Sequence, residues 1–213
     1  VFEDVGFVLN EGGRGTETDD GHTWFQIEVA QKRPSWLRLT ATDQPGHGSR
    51  PLPNYATTRL IAALQRIHET PFEPRVLGPV REMFHGISSY VDAKWQESLR
   101  NIDEAILDPE FLAEFQAEQP TLHSLIRNTC SITMLTGSQK INVVPATAVA
   151  ELDCRILPDQ NSDEFLEGIR QRINDAQIEV EQIMLFSAAS TSSDTPLYSL
   201  LTQKIRENYP NAG

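Results

Sequence analysis

The spacing of apolar residues changes along this chain, and each change marks an element. Val5 to Leu9 is a short apolar run that reads as a strand entering the loop Glu11-Gly12-Gly13. Arg14 to His22 is polar and contains glycine, which predicts a turn or hairpin loop. Thr23 to Ala30 alternates, with Phe25, Ile27 and Val29 opposite Trp24, Gln26 and Glu28, as a half-buried strand does. Trp36 to Thr42 alternates again, with Leu37, Leu39 and Ala41 on one face. The period then lengthens. Leu60, Ile61, Leu64 and Ile67 form a helical stripe that Asn54 can cap and Pro71 stops. Ser131 to Leu135 predicts a strand, Gly137 to Lys140 a turn, and Thr147 to Leu157 a second alternating strand. Ser162 opens another helix. Asp163 and Glu164 lie in its first turn, where carboxylates complement the helix dipole, and Phe165, Leu166, Ile169 and Ile173 form its stripe. Ile178 to Phe186 closes the series as a strand.

From Trp36 to Phe186 the order is strand, helix, strand, strand, helix, strand. This predicts an α+β, ferredoxin-like βαββαβ sandwich: an antiparallel sheet with both helices on one face. Folding the hairpin near Ile141 places Cys130 and Ile132 on the face shared by Ala150, Leu152 and Cys154. A long insertion, about residues 71–128, separates the first helix from the second strand. Its irregular apolar spacing, with Pro109 and Pro120 as breaks, predicts three or four short helices, because a structureless loop of that length is improbable. A Ser/Ala/Thr linker then leads to Thr195-Pro196, an N-cap with proline at the first helical position, and to a last helix with Leu197, Leu200, Leu201 and Ile205 as its stripe.

Eighteen basic and thirty acidic residues give a net charge of −12 over 213 residues. That balance repels phosphate backbones and anionic membranes, and no basic stripe offsets it. No apolar run is long enough to span a bilayer. Cys130 and Cys154 fall in no CxxC motif, and two buried thiols are the expectation, although adjacent strands allow them to pair. The chain opens on Val1, so a leader peptide stays open and the compartment is unassigned, with the cytoplasm as the default.

Candidate chemistry concentrates in three segments. His47 stands in Gly46-His47-Gly48-Ser49-Arg50-Pro51, where neighbouring glycines leave its ring uncovered. A histidine so presented can donate to a carbonyl oxygen and stabilise an oxyanion. Glu11, at the end of an apolar strand with two glycines behind it, suits a metal ligand, but one carboxylate is not a metal site. Arg155 falls on the polar face of its strand, where a guanidinium can grip a carboxylate bidentately or pair with Asp153 or Glu151. Asn142, in the preceding hairpin, can donate an amide hydrogen bond to the same group or to the carbonyl. Asp153 is expected to orient Arg155. Ser49 beside His47 lacks triad geometry, and Gly12, Gly13 and Gly15 are not followed by a phosphate-loop Lys. His22, His68, His85 and His123 have no comparable context.

These three segments, in this order, resemble the dinuclear zinc amidohydrolases that include aminoacylase, acetylornithine deacetylase, succinyl-diaminopimelate desuccinylase and the carboxypeptidase-S-like peptidases. The size of the insertion is most similar to the carboxypeptidase-S-like branch. The resemblance implies that residues 34–188 are a lid, or dimerisation, domain. It further implies that residues 1–33 are a strand-bearing fragment of the zinc-binding domain, and that 189–213 are a linker and helix returning to it. It implies two zinc ions in a complete enzyme, with Glu11 as one ligand, and a homodimer in which His47 reaches the partner's active site. Arg155 and Asn142 would then hold the carboxylate of a small peptide or N-acyl amino acid. The remaining metal-binding motifs and the general base are not recognisable here, so the isolated chain is expected to be inactive. An association module with no role in catalysis is the competing expectation.

Overall fold

The computed structural model describes residues 4–9, 12–17, 21, 23–210 and 212. They fall into two compact units. One comprises Lys32–Pro74 and Arg127–Ala188, the other Arg75–Ile126 with the segments up to Gln31 and from Ala189 onward.

The first unit is the ferredoxin-like sandwich. Its sheet has the order β6 (Thr129–Thr136), β8 (Thr147–Ile156), β4 (Arg33–Thr42), β9 (Ile178–Leu185), antiparallel throughout. Alternation decides which face is buried. Leu37, Leu39 and Ala41 of β4, with Ala148, Ala150, Leu152, Cys154 and Ile156 of β8, are all buried on one side. Helices α1 (Ala56–Glu69) and α7 (Ser162–Ile173) cover that side through Leu60, Ala63, Leu64 and Ile67 and through Phe165, Ile169 and Ile173. Asn161 caps α7 by accepting from the backbone N–H groups of Asp163 and Glu164 at 2.8 and 3.1 Å. The N-cap of α1 is Tyr55 rather than Asn54, because Thr58 Oγ1 accepts from the Tyr55 N–H at 3.0 Å and satisfies the chain there. Arg59 of α1 bridges Asp43 and Asp175 at 2.9 and 3.0 Å, fastening the end of β4 to the turn before β9.

Cys130 and Cys154 face each other across β6 and β8 and form a disulfide, which corrects the expectation of two thiols. The two positions are direct register partners, so their sulfurs meet on the same face of the sheet.

The second unit contains the insertion. It folds into five short helices, α2 (Gly78–Ile87), α3 (Ala93–Arg100), α4 (Ile102–Ala105), α5 (Pro109–Glu118) and α6 (Pro120–His123), then a 3-10 turn at Ser124–Ile126. Its core is aromatic. Phe115 stacks on Phe111 with ring centroids 5.1 Å apart and meets Phe84 edge-on at 6.2 Å. The predicted loop at Arg14 to His22 instead contains strand β1 (Arg14–Glu17), paired with β2 (Thr23–Gln26). Cross-strand pairing with β2 overrides the polar composition of β1. Val5 to Leu9 is not a strand. Val5, Phe7, Val8 and Leu9 are exposed, and no strand among the described residues pairs with them to satisfy a ladder. Short strands β3 (Ala30–Gln31) and β10 (Ala189–Ser190) pair with each other, and α8 (Pro196–Asn208) follows with Thr195 as its cap. None of the side chains of α8 is buried, although its leucine stripe follows the expected spacing.

Candidate functional site

Past the end of the β4–β8 pairing, the two strands continue as a narrow ribbon. Asp43 N–H donates to Ala146 O at 2.9 Å, and then β5 (Gly46–His47) pairs with β7 (Val143–Val144), placing His47 opposite Val143. Gly48 N–H donates to Asn142 O at 2.8 Å. A Cβ added at Gly48 would stand 3.4 Å from the Asn142 backbone, an ordinary contact distance. The hydrogen bond lays the His47 loop against Asn142, and both residues are exposed at the ribbon's tip.

The hydrogen bonds of the imidazole fix its proton. Ser49 N–H donates to His47 Nδ1 at 3.2 Å, and Ser49 Oγ lies 2.8 Å from the same nitrogen. A backbone N–H can only donate, so Nδ1 is the acceptor and the neutral ring carries its hydrogen on Nε2. The exposed ring thus offers one N–H donor, as oxyanion stabilisation requires. The role of Ser49 was not anticipated. Its signal is a hydroxyl two residues after the histidine in a tight turn, with Arg50 N–H bonded to His47 O at 2.9 Å.

Arg155 lies at the other end of β8. It points from the open face of the sheet, opposite the buried Cys154 and Ile156. Its Nε and Nη2 donate to the two carboxylate oxygens of Asp153 at 2.7 and 3.0 Å. Asp153 Oδ1 also accepts from Trp36 Nε1 at 3.0 Å, and Trp36 is the register partner of Asp153 on β4. Lys32 stands behind this group. Its ammonium donates to Arg127 O at 2.8 Å and to Thr129 Oγ1 at 3.0 Å, and Thr129 is the register partner of Arg155 on β6. Burial, then the charge of Arg155, lower the pKa of Lys32 to about 7. Neither Trp36 nor Lys32 was anticipated; only exact strand register brings them to Arg155.

The structure therefore brings His47 and Asn142 together and leaves Arg155 apart from them. Thr147 to Arg155 alone extends about 26 Å at about 3.3 Å per residue, and the ribbon carries His47 farther in the opposite direction. Glu11 lies outside the described residues. Among the described residues no three His, Cys, Asp or Glu side chains converge as a metal ion would need, so the donor set for zinc is not found within them.

Residues 29–181 match the family model of the peptidase dimerisation domain of M20 enzymes. The chain belongs to the M20 peptidase family. Similar proteins include the mouse (Mus musculus) N-fatty-acyl-amino acid synthase/hydrolase, 29% identical over 86% of this chain and 37% of that protein. Another is the probable carboxypeptidase S-like 2 of Dictyostelium discoideum, 22% identical over 87% of this chain and 35% of that protein. The chain thus spans little more than a third of these relatives. Human carnosine dipeptidase 1 shares the fold, with a TM-score of 0.52 at 12% identity, covering 87% of this chain and 44% of that structure. The M20 dimerisation domain accounts for the sandwich, with α1 and α7 on one face and the other face open.

Proposed function

We propose that this chain supplies the lid of a zinc-dependent M20 hydrolase that cleaves an amide bond next to a free carboxylate. Its substrate class would be N-acyl amino acids or short peptides, the chemistries that the names of its relatives describe. The observation that carries the reading is the His47 loop, hydrogen-bonded against Asn142 with Nε2–H as the donor left to the exposed ring. His47 would donate to the carbonyl oxygen as it becomes an oxyanion, and Asn142 would add an amide donor beside it. Arg155 would bind the substrate carboxylate. Glu11 would be one zinc ligand, the others coming from polypeptide outside this segment.

The separation of the two groups supports action across a dimer. No small substrate spans the length of β8, so one centre that uses both His47 and Arg155 draws them from different protomers. The dimer would form through β6, an edge strand with Ile132, Met134 and Leu135 exposed.

The test uses the complete polypeptide with zinc and N-acyl amino acids or dipeptides. His47→Ala is expected to lower kcat by about 10²–10³, the usual loss for one oxyanion donor. Mixing that variant with an Arg155→Ala variant is expected to restore part of the activity, because one of the two centres in the mixed dimer then has both groups intact. An unchanged kcat in His47→Ala would remove the histidine from the mechanism, and failure of complementation would show that His47 and Arg155 do not serve one shared centre.

A further inference from the structure

Resting on the assignment of Arg155 to the substrate carboxylate, we propose that Trp36 and Asp153 are positioning residues that hold the guanidinium so that its outer fork faces the substrate. The argument begins with donor counting. A guanidinium has five N–H donors in a fixed plane. Asp153 takes two of them side-on, from Nε and Nη2. The end-on fork, one N–H from each Nη nitrogen, is the pair that matches a second carboxylate bidentately. Asp153 therefore does not occupy the fork a substrate would use.

Asp153 could swing about its own χ angles and carry Arg155 with it. The indole of Trp36 opposes that motion. Its N–H donates to Asp153 Oδ1, the oxygen that Arg155 Nε also uses. Residues 36 and 153 are direct register partners, so the indole donor comes from a neighbouring strand of the same sheet. The three side chains form a line, Trp36 to Asp153 to Arg155, lying on the open face. The helix-covered face beneath is packed with Leu37, Leu152 and Cys154, which keeps both strands from shifting. Tryptophan here is more than an apolar cover: it is the residue type that joins a flat surface to a single N–H donor.

The alternative is that Asp153 competes with substrate by neutralising Arg155. The two ideas give opposite signs. The readout is the preference of the complete enzyme for an N-acyl amino acid over its carboxamide, as a ratio of kcat/KM. This ratio reports the carboxylate–Arg155 contact, which a merely structural role would not move. Arg155→Ala is expected to collapse it. Asp153→Asn is expected to lower it about ten-fold and Trp36→Phe about three-fold, the scale of losing support for one charge-assisted contact, with the change carried mainly by KM. Asp153→Glu should recover part of the loss. If Asp153→Asn does not fold, Trp36→Phe, which keeps an aromatic side chain on the open face and removes the indole N–H together with one ring, carries the test. A ratio that collapses in Arg155→Ala but keeps its wild-type value in both other variants would overturn the positioning role and leave the carboxylate assignment standing. A ratio that rises in Asp153→Asn would show competition instead. A ratio unmoved by Arg155→Ala would overturn the carboxylate assignment and this inference with it.

Discussion

Lys32 shows how one side chain can couple the candidate site to pH. Its pKa falls from 10.5 to about 7, burial being the larger cause and Arg155 the second. The folded state therefore disfavours the ammonium. Between about pH 7 and the ordinary lysine value the unfolded chain binds more protons, so the contribution of this group to stability rises with pH across that window. Below pH 7 the full cost of burying the charge is present. Lys32→Met is expected to flatten the rise in melting temperature between pH 7 and pH 10 relative to wild type, followed by circular dichroism. Parallel curves for the two proteins would mean that Lys32 keeps its ordinary pKa. Nothing in the sequence marks this lysine. By contrast, His47 between two glycines and Arg155 on a polar strand face were legible as candidates, because steric freedom and strand alternation can be read directly. Their partners Ser49, Trp36 and Lys32 were not, because each depends on register or on turn geometry.

At the scale of elements, the same distinction holds. Strands β4, β6, β8 and β9 and helices α1 and α7 follow from alternation and helical stripes, and their boundaries shift by at most a few residues. Val5 to Leu9 has the same apolar character yet forms no strand among the described residues, since pairing needs a neighbour. Residues Arg14–Glu17 do the reverse. The disulfide lies between these cases. Sequence placed Cys130 and Cys154 on one face of adjacent strands, and only the pairing of 130 with 154 brings the sulfurs together. That bond closes a sequence separation of 24 residues, for which loop-closure entropy gives about 3.5 kcal/mol. Replacing both cysteines by serine is expected to lower the urea midpoint of the chain by the equivalent of that amount. Equal midpoints for the variant and for the oxidised wild type would show that the cross-link adds nothing to the ladder it spans.

For the whole molecule, the proposed dimer selects between the edges of the sheet by what each would bury. The sheet has two edges, β6 and β9. On β9, Glu179 and Glu181 are exposed, and self-pairing would bring carboxylates together in a chain already carrying a charge of −12. On β6, Met134 and Leu135 are 56% and 65% exposed, and these apolar groups are costly to leave in water. Helix α1 extends that rim. Thr57 borders Gly137 just beyond β6, and Ile61, one turn later on the same helix face, is 56% exposed. A two-fold pairing of β6 with its copy would bury this rim and satisfy the backbone groups of the edge in one continuous sheet. Leu135→Lys would set like charges close to the axis and is expected to convert the dimer to a monomer in sedimentation equilibrium. Glu181→Lys, on the far edge, should leave the dimer intact. Because His47 and Arg155 lie too far apart for one centre within one chain to use both, the proposed function expects the Leu135→Lys monomer of the complete enzyme to lose turnover as well, although both side chains are still present. A monomer with full activity would show that the two ends of β8 do not serve a shared centre.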